Sequence, residues 1–375
     1  MEINPDNRAF FALVRAGLWE KEARLLPIGS LDFLKIYRLA QEQSVVGLIA
    51  AGIEHIDDYK IPQEVVLSIV GDTLKLEQRN RDMNLFLGSL IEKLRKAGIK
   101  AVLVKGQGIG QCYERPLWRT CGDIDLILGD TDYINAIKIL TPLASRFKED
   151  SVRFKHYAMT IDSWEVELHG SLRDGLLNRI DVVLDEVQNE VLTKCLVRSW
   201  IDDKIQVPLP RVDEDVVFVF SHILQHFFNE GIGLRQICDW CRLLWAYRVS
   251  LNNELLKSRI KKAGIMSEWK AFGSLAVEYL GMPVEAMPLY SDDKKWSRKA
   301  DKVMGFILET GNFGHNRDYS YYQKYPYVVF KAISLWRHIK DFGRYFVIFP
   351  LDAIKVTWRR MVVGVSVVLQ GNKHE

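Results

Sequence analysis

Ile99-Lys100-Ala101-Val102-Leu103-Val104-Lys105-Gly106, followed after an irregular segment by Cys121-Gly122-Asp123-Ile124-Asp125-Leu126-Ile127-Leu128, is the stretch on which the fold turns. The first half reads as a short buried strand over 100–104 that runs into a glycine turn and a helix start. The second half reads as another strand, over 123–128, with two carboxylates at its beginning. Side chains two apart in an extended chain share a face, about 6–7 Å apart along the strand. Asp123 and Asp125 therefore stand on one face, beside the Lys105-Gly106 turn and in front of an apolar run. That combination suits a site for Mg²⁺ and a nucleotide.

Working outward, residues 5–97 read as helical. Phe10, Phe11, Leu13 and Val14 recur at helical spacing, as do Phe33, Ile36, Tyr37 and Ala40, with Ser30 and Asp32 as candidate caps. The apolar pattern from Val65 to Leu94 fits one long helix or two, ended by Gly98. Beyond the two strands, 131–140 reads as a helix crossing back, capped by Thr131. Residues 153–161 and 164–168 read as a hairpin turning at Asp162-Ser163, and the second strand places Glu165 and Glu167 on one face. From Asp174 the pattern is again mostly helical, with Val207-Pro208-Leu209-Pro210 as a break. Helices are expected over 213–228, 234–249, 252–279 (one or two) and 295–309, followed by the turn-rich Gly311-Asn312-Phe313-Gly314. The expected class is α+β: a small mixed-sheet core embedded in a largely helical protein. The expected division is a helical N-terminal region (1–80), a catalytic core (81–172), a helical domain (173–323) and a basic, aromatic-rich segment (324–375).

Composition sets bounds on function. The chain has 375 residues, 48% hydrophobic and 26% charged, the range of a globular protein with a sizeable core. A net charge of +3 argues against a dedicated nucleic-acid binder. Five cysteines form no disulfide framework, and Cys238-x-x-Cys241 lacks the second pair a zinc finger needs. The N-terminus shows no secretory signal and no apolar run is long enough to span a bilayer, so a cytoplasmic location is expected. Between Lys324 and Arg360, eight Lys/Arg stand against two Asp, interleaved with Trp336, Tyr345, Phe346, Phe349 and Trp358. Such a segment either packs on the body with a solvated basic face or lies on an anionic membrane surface.

The chemistry these residues suit is nucleotidyl transfer. A triphosphate is held in line with an attacking hydroxyl while divalent ions bridged by carboxylates neutralise charge. Mg²⁺ or Mn²⁺ takes hard oxygen ligands and keeps several waters, so two or three acids suffice. Asp123 and Asp125 supply two, and Glu167 or Glu165 on a neighbouring strand supplies the third. The Lys105-Gly106 turn offers positive charge and N–H donors to phosphate.

On these residues the chain resembles the uncharacterised bacterial nucleotidyltransferases of the DNA polymerase β-like superfamily. The matching positions are Leu103-Val104-Lys105-Gly106, Tyr113, Arg119, Asp123-Ile124-Asp125-Leu126 and Glu167-Leu168-His169. They extend through His222, His226, Leu234-Arg235, Asp239 and Gly311–Gly314. The resemblance implies a polymerase β-like core with two metal-binding aspartates and a third carboxylate at Glu167. The wider superfamily usually carries Gly-Ser after the first strand. Here Lys105-Gly106-Gln107 stands instead, which shifts the expected phosphate contact to Lys105 or Gln107. Arg119 is expected either on a phosphate or on the carboxylates. His222, His226, Arg235 and Asp239 are candidates to face the substrate, whereas His169 reads as structural. The expected partners are an NTP, ATP among them, and a hydroxyl-bearing acceptor, with a membrane surface at the C-terminal segment as the alternative to its packing on the body. Two other readings share the same residues: an inactive nucleotidyltransferase scaffold acting as a binding protein, and an Asp-x-Asp glycosyltransferase.

Overall fold

The computed structural model describes residues 4–151, 155–202, 205–314, 316 and 327–369. Helices α1 (Pro5–Trp19), α2 (Phe33–Glu42) and α3 (Val46–Ile53) lead into α4, a single helix over Gln63–Lys96. Asp32 caps α2 by accepting from the Lys35 N–H. The boundary drawn from sequence between 80 and 81 falls inside α4. The N-terminal half of α4 packs on the leader helices through Val65 and Ile69, and its C-terminal half packs on the sheet through Met83, Leu87, Leu90 and Leu94.

After Gly98, where the chain takes a positive φ of 74°, comes the sheet. Its strands are β1 (Ala101–Val104), β2 (Asp123–Leu128), β3 (Arg146–Ser151), β4 (His156–Ile161) and β5 (Trp164–His169), in the order β1-β2-β5-β4-β3. The β2–β5 pair is parallel and the others are antiparallel, so the sheet is mixed as expected. Between β1 and β2 lies the short α5 (Gly106–Gly110), and α6 (Asp130–Leu140) crosses back between β2 and β3. Thr131 does not cap α6, since Gly129 stands at that position. Asp162 and Ser163 both have positive φ, 48° and 72°, which is the backbone of a two-residue hairpin turn.

The alternation of these strands decides where the chemistry goes. Leu103, Ile124, Leu126, Leu128, Val166, Leu168, Met159 and Ile161 point to one face, where α4 and α6 cover them. Each such side chain taken out of water stabilises the fold by roughly 1.5–3 kcal/mol. Asp123, Asp125, Glu165, Glu167 and His169 occupy the other face. A one-residue slip of β2 would bury the acids and expose the core, so the register is strongly specified.

Among the described residues, the rest is mostly helical apart from one hairpin. Helix α7 (Asn178–Leu192) precedes β6 (Val197–Asp202) and β7 (Ile205–Pro210), which form their own two-stranded sheet. This corrects the expected break at Val207–Pro210. A two-stranded ribbon has an open edge, which accepts prolines that no central strand would. Helices α8 (Val212–Asn229), α9 (Leu234–Ala246), α10 (Asn253–Ala263), α11 (Met266–Leu280) and α12 (Lys294–Thr310) build an aromatic core around Phe220, Phe227, Trp240, Trp269 and Phe272. Two further helices, α13 (Tyr327–Ile348) and α14 (Pro350–Leu369), pack on this core through Tyr345, Phe349, Ala353 and Val356. Arg179 and Arg359 add ion pairs to Asp352 and Asp181. Their outward stripe leaves Trp336, Ile339, Phe346, Val347, Leu351, Ile354 and Trp358 exposed. Among the described residues, no helix is long and apolar enough to cross a membrane.

Candidate active site

The site lies on the polar face of the sheet, beneath α8. In the parallel β2–β5 pair Asp125 is directly opposite Glu167, and Asp123 precedes it on the same face. One oxygen from each of these three carboxylates falls within 4.8 Å of the others. The donors are hard oxygens from adjacent strands, and this set fits Mg²⁺ or Mn²⁺. Glu165, the other candidate for the third acid, sits one step further out and accepts from Thr160 Oγ1 at 2.7 Å.

Lys105 is held over the acids by the turn that leaves β1. Its φ of 57° and that of Gly106, 37°, swing the chain sharply from strand to helix and bring the ammonium back over β2. Lys105 Nζ lies 2.7 Å from Asp125 Oδ1, and Asp125 is only 2% exposed. Burial by itself would drive the proton off Lys105. Asp125, Asp123 and Glu167 outweigh that and hold its pKa above the ordinary value. The repulsion of Asp125, followed by burial, holds Asp123 above the usual carboxylate range.

Two histidines complete the floor. His169 Nε2 lies 2.8 Å from Asp125 Oδ1 and 3.6 Å from Glu167 Oε2. His156 Nε2 lies 3.0 Å from the same Glu167 oxygen. The two rings are stacked with centroids 4.7 Å apart. Burial opposes the charged form of Glu167, yet the His156 and His169 hydrogen bonds and Lys105 overcome it and leave Glu167 far below its usual range. Burial likewise opposes a proton on His169, and the Asp125 and Glu167 carboxylates prevail, raising its pKa. His169 is thus part of the site, contrary to the structural role expected. His156 escaped the sequence reading altogether, though hairpin counting from Asp162-Ser163 places it opposite His169.

A cleft of about 350 Å³ opens above these groups. Lys105, Asp123, His156, Glu167 and His169 form its floor, while Phe218, His222, Gln225 and His226 come from one stripe of α8. Asp174, Leu184 and Phe313 close other sides. His222 Nε2 and His226 Nε2 are 3.1 Å apart. Burial first, then the charge of Lys105, pushes the His222 pKa well below its ordinary value.

Other expected residues stand elsewhere. Arg119 reaches neither a phosphate position nor the site carboxylates. Its guanidinium grips Asp239 through Nε at 3.0 Å and Nη2 at 2.6 Å, and Tyr113 donates to the same carboxylate at 2.8 Å. Asp239 is spent on that pair and does not face the cleft. Arg235 donates to the Thr120 carbonyl at 2.7 Å, close enough to lower the Asp123 pKa by its charge. Gln107 is 2% exposed, with its amide against Met83. Helix α5 spans five residues, too few for a developed helix dipole. Of the expected phosphate contacts, only Lys105 lines the cleft.

Cys238 and Cys241 are buried in α9, where burial raises both thiol pKa values.

Fold and site together define an α+β protein whose mixed sheet presents a three-carboxylate cluster to a cleft. The chain belongs to a family of uncharacterised nucleotidyltransferases, whose family model matches residues 29–281. No curated protein and no solved structure matches it.

Proposed function

We propose that the cleft transfers a nucleoside monophosphate from an NTP to a hydroxyl group of an acceptor. The observation that carries this reading is the convergence of Asp123, Asp125 and Glu167 across two hydrogen-bonded parallel strands, with Lys105 over them. Asp123, Asp125 and Glu167 would hold Mg²⁺ or Mn²⁺, which supplies charge neutralisation for the triphosphate. Lys105, already held charged, faces the phosphates across the cleft floor. The acceptor oxygen attacks the α-phosphorus, the bond to the bridging oxygen breaks, and pyrophosphate leaves. Asp123 lines the cleft, so its carboxylate stands where an acceptor hydroxyl would enter and can take its proton. Glu167, with two histidines lowering its proton affinity, suits the role of ligand. All three acids are present and grouped beside an open cleft, which favours an active enzyme over an inert scaffold.

The test is incubation of the full chain with α-labelled NTPs, Mg²⁺ or Mn²⁺ and a panel of hydroxyl acceptors. Transfer of label and release of pyrophosphate are expected in the wild type and lost in Asp123→Ala/Asp125→Ala. Identical nucleotide binding and turnover in the two proteins would end the proposal.

We also propose that the outward stripe of α13 and α14 rests on an anionic membrane surface. Trp336 and Trp358 lie towards the two ends of an exposed apolar band that Lys340 and Lys355 flank. Aromatic rings at the headgroup level and lysines beside them are the side chains such a surface selects.

A further inference from the structure

The chain contains eight histidines, and four of them, His156, His169, His222 and His226, line the one cleft. A carboxylate site for Mg²⁺ has no use for imidazole, because Mg²⁺ takes hard oxygen ligands. Imidazole suits zinc and its first-row neighbours. We propose that His156, Glu167 and His169 form a second ion site, for a divalent transition ion of the zinc type, beside the three carboxylates and sharing Glu167 with them.

The geometry is already close to what such an ion requires. Bonds of 2.0–2.1 Å in a tetrahedral arrangement set donor atoms about 3.3 Å apart. The two imidazole Nε2 atoms stand 3.0 and 3.6 Å from Glu167 Oε2, on either side of that value. The three ligand atoms all lie within 4.8 Å of one another. Both rings come from paired positions of a regular hairpin, His156 opposite His169, they stack on one another, and both Nε2 atoms reach the same Glu167 oxygen. The group is on rigid strands at the floor of a cleft, which leaves room for an entering ion and a solvent or substrate ligand.

This site differs from the nucleotide site in what it selects and does not depend on nucleotide. The experiment therefore uses the full chain, stripped with chelator, without NTP. Zn²⁺ titration by calorimetry and X-ray absorption at the zinc edge are the two readouts. One tight equivalent with imidazole scattering is expected, weakened about tenfold or more by His156→Ala and by His169→Ala. A zinc spectrum with oxygen neighbours only overturns the proposal. So does an unchanged Zn²⁺ affinity in both histidine variants, which would place binding at His222 and His226 or leave His156 and His169 as props for Glu167. Where a His156 or His169 variant fails to fold, imidazole scattering retained in His222→Ala/His226→Ala assigns the ligands to His156 and His169, and its loss there overturns the proposal. Because no NTP is present, failure here leaves nucleotidyl transfer standing, and failure of nucleotidyl transfer leaves this site standing.

Discussion

Asp174, half-buried at one side of the cleft, gives the protein a pH dependence. Burial raises its carboxyl to about 7, and neighbouring Asp181 pushes the same way. Oδ1 accepts from the Leu176 N–H at 2.8 Å, while Oδ2 has no partner. In the unfolded chain the same group titrates near its ordinary value of 3.8. Between those two values the folded protein keeps a proton that the unfolded chain has lost. Stability therefore falls as pH rises through that window, by up to about 1.4 kcal/mol per pH unit. Asp174→Asn keeps an acceptor for Leu176 and cannot titrate. Urea denaturation from pH 4.5 to 8 should give the variant a flatter profile and a higher midpoint at pH 8. A wild-type slope retained in the variant would assign the effect to other groups.

At the scale of elements, α9 acts as a clamp on the segment that delivers β2. Arg235, Asp239 and Arg242 recur at helical spacing along it. They hold, respectively, the Thr120 carbonyl, the Arg119 guanidinium and the Cys112 carbonyl, the last at 2.7 Å. The irregular segment between α5 and β2 is thereby fixed at several points just before Asp123. Asp239→Ala would leave the Arg119 charge buried and unpaired, at a cost of about 3–5 kcal/mol. Urea denaturation of the full chain checks this, and Arg119→Met combined with Asp239→Leu should recover much of the loss. A loss below about 1 kcal/mol in the single variant would mean that Arg119 has found another partner.

Over the whole molecule, two cores meet at the cleft. The sheet with α4 and α6 supplies the acids, and the helical body supplies α8 as a wall. The helical core also carries α13 and α14, whose apolar stripe faces outward far along the chain from the acids. Flotation with phosphatidylserine vesicles should carry the wild-type chain upward, less so in high salt. Trp336→Ser/Trp358→Ser should stay at the bottom with unchanged folding. Equal recovery with neutral and anionic vesicles, or equal flotation of the variant, would exclude the proposed contact.

Much of this was legible in the residues themselves. The strand over Asp123–Leu128 was expected with its observed bounds, because an apolar run behind two acids has few other ways to satisfy both solvent and core. The shared face of Asp123 and Asp125 follows from the two-residue period of extended chain, and the β2–β5 register brings Glu167 onto it. The hairpin over β4 and β5 follows from a turn at Asp162-Ser163, and its register contained His156 for anyone who counted. The β6–β7 hairpin was hidden because its prolines signal a break in any strand that is not an edge.

What only the tertiary structure decided is which charges meet. Arg119 lies four residues before Asp123, yet its partner is Asp239, 120 residues away. Gln107 follows the phosphate turn, yet it is packed inward. Local periodicity sets the face on which a side chain emerges. The partner it finds depends on how separately formed elements pack, and a buried charge takes the opposite charge that packing brings within reach. The sequence by itself therefore determined β1, β2 and the β4–β5 hairpin, with the acids they carry. The tertiary structure decided the wall of α8, the clamp of α9 and the histidines gathered around Glu167.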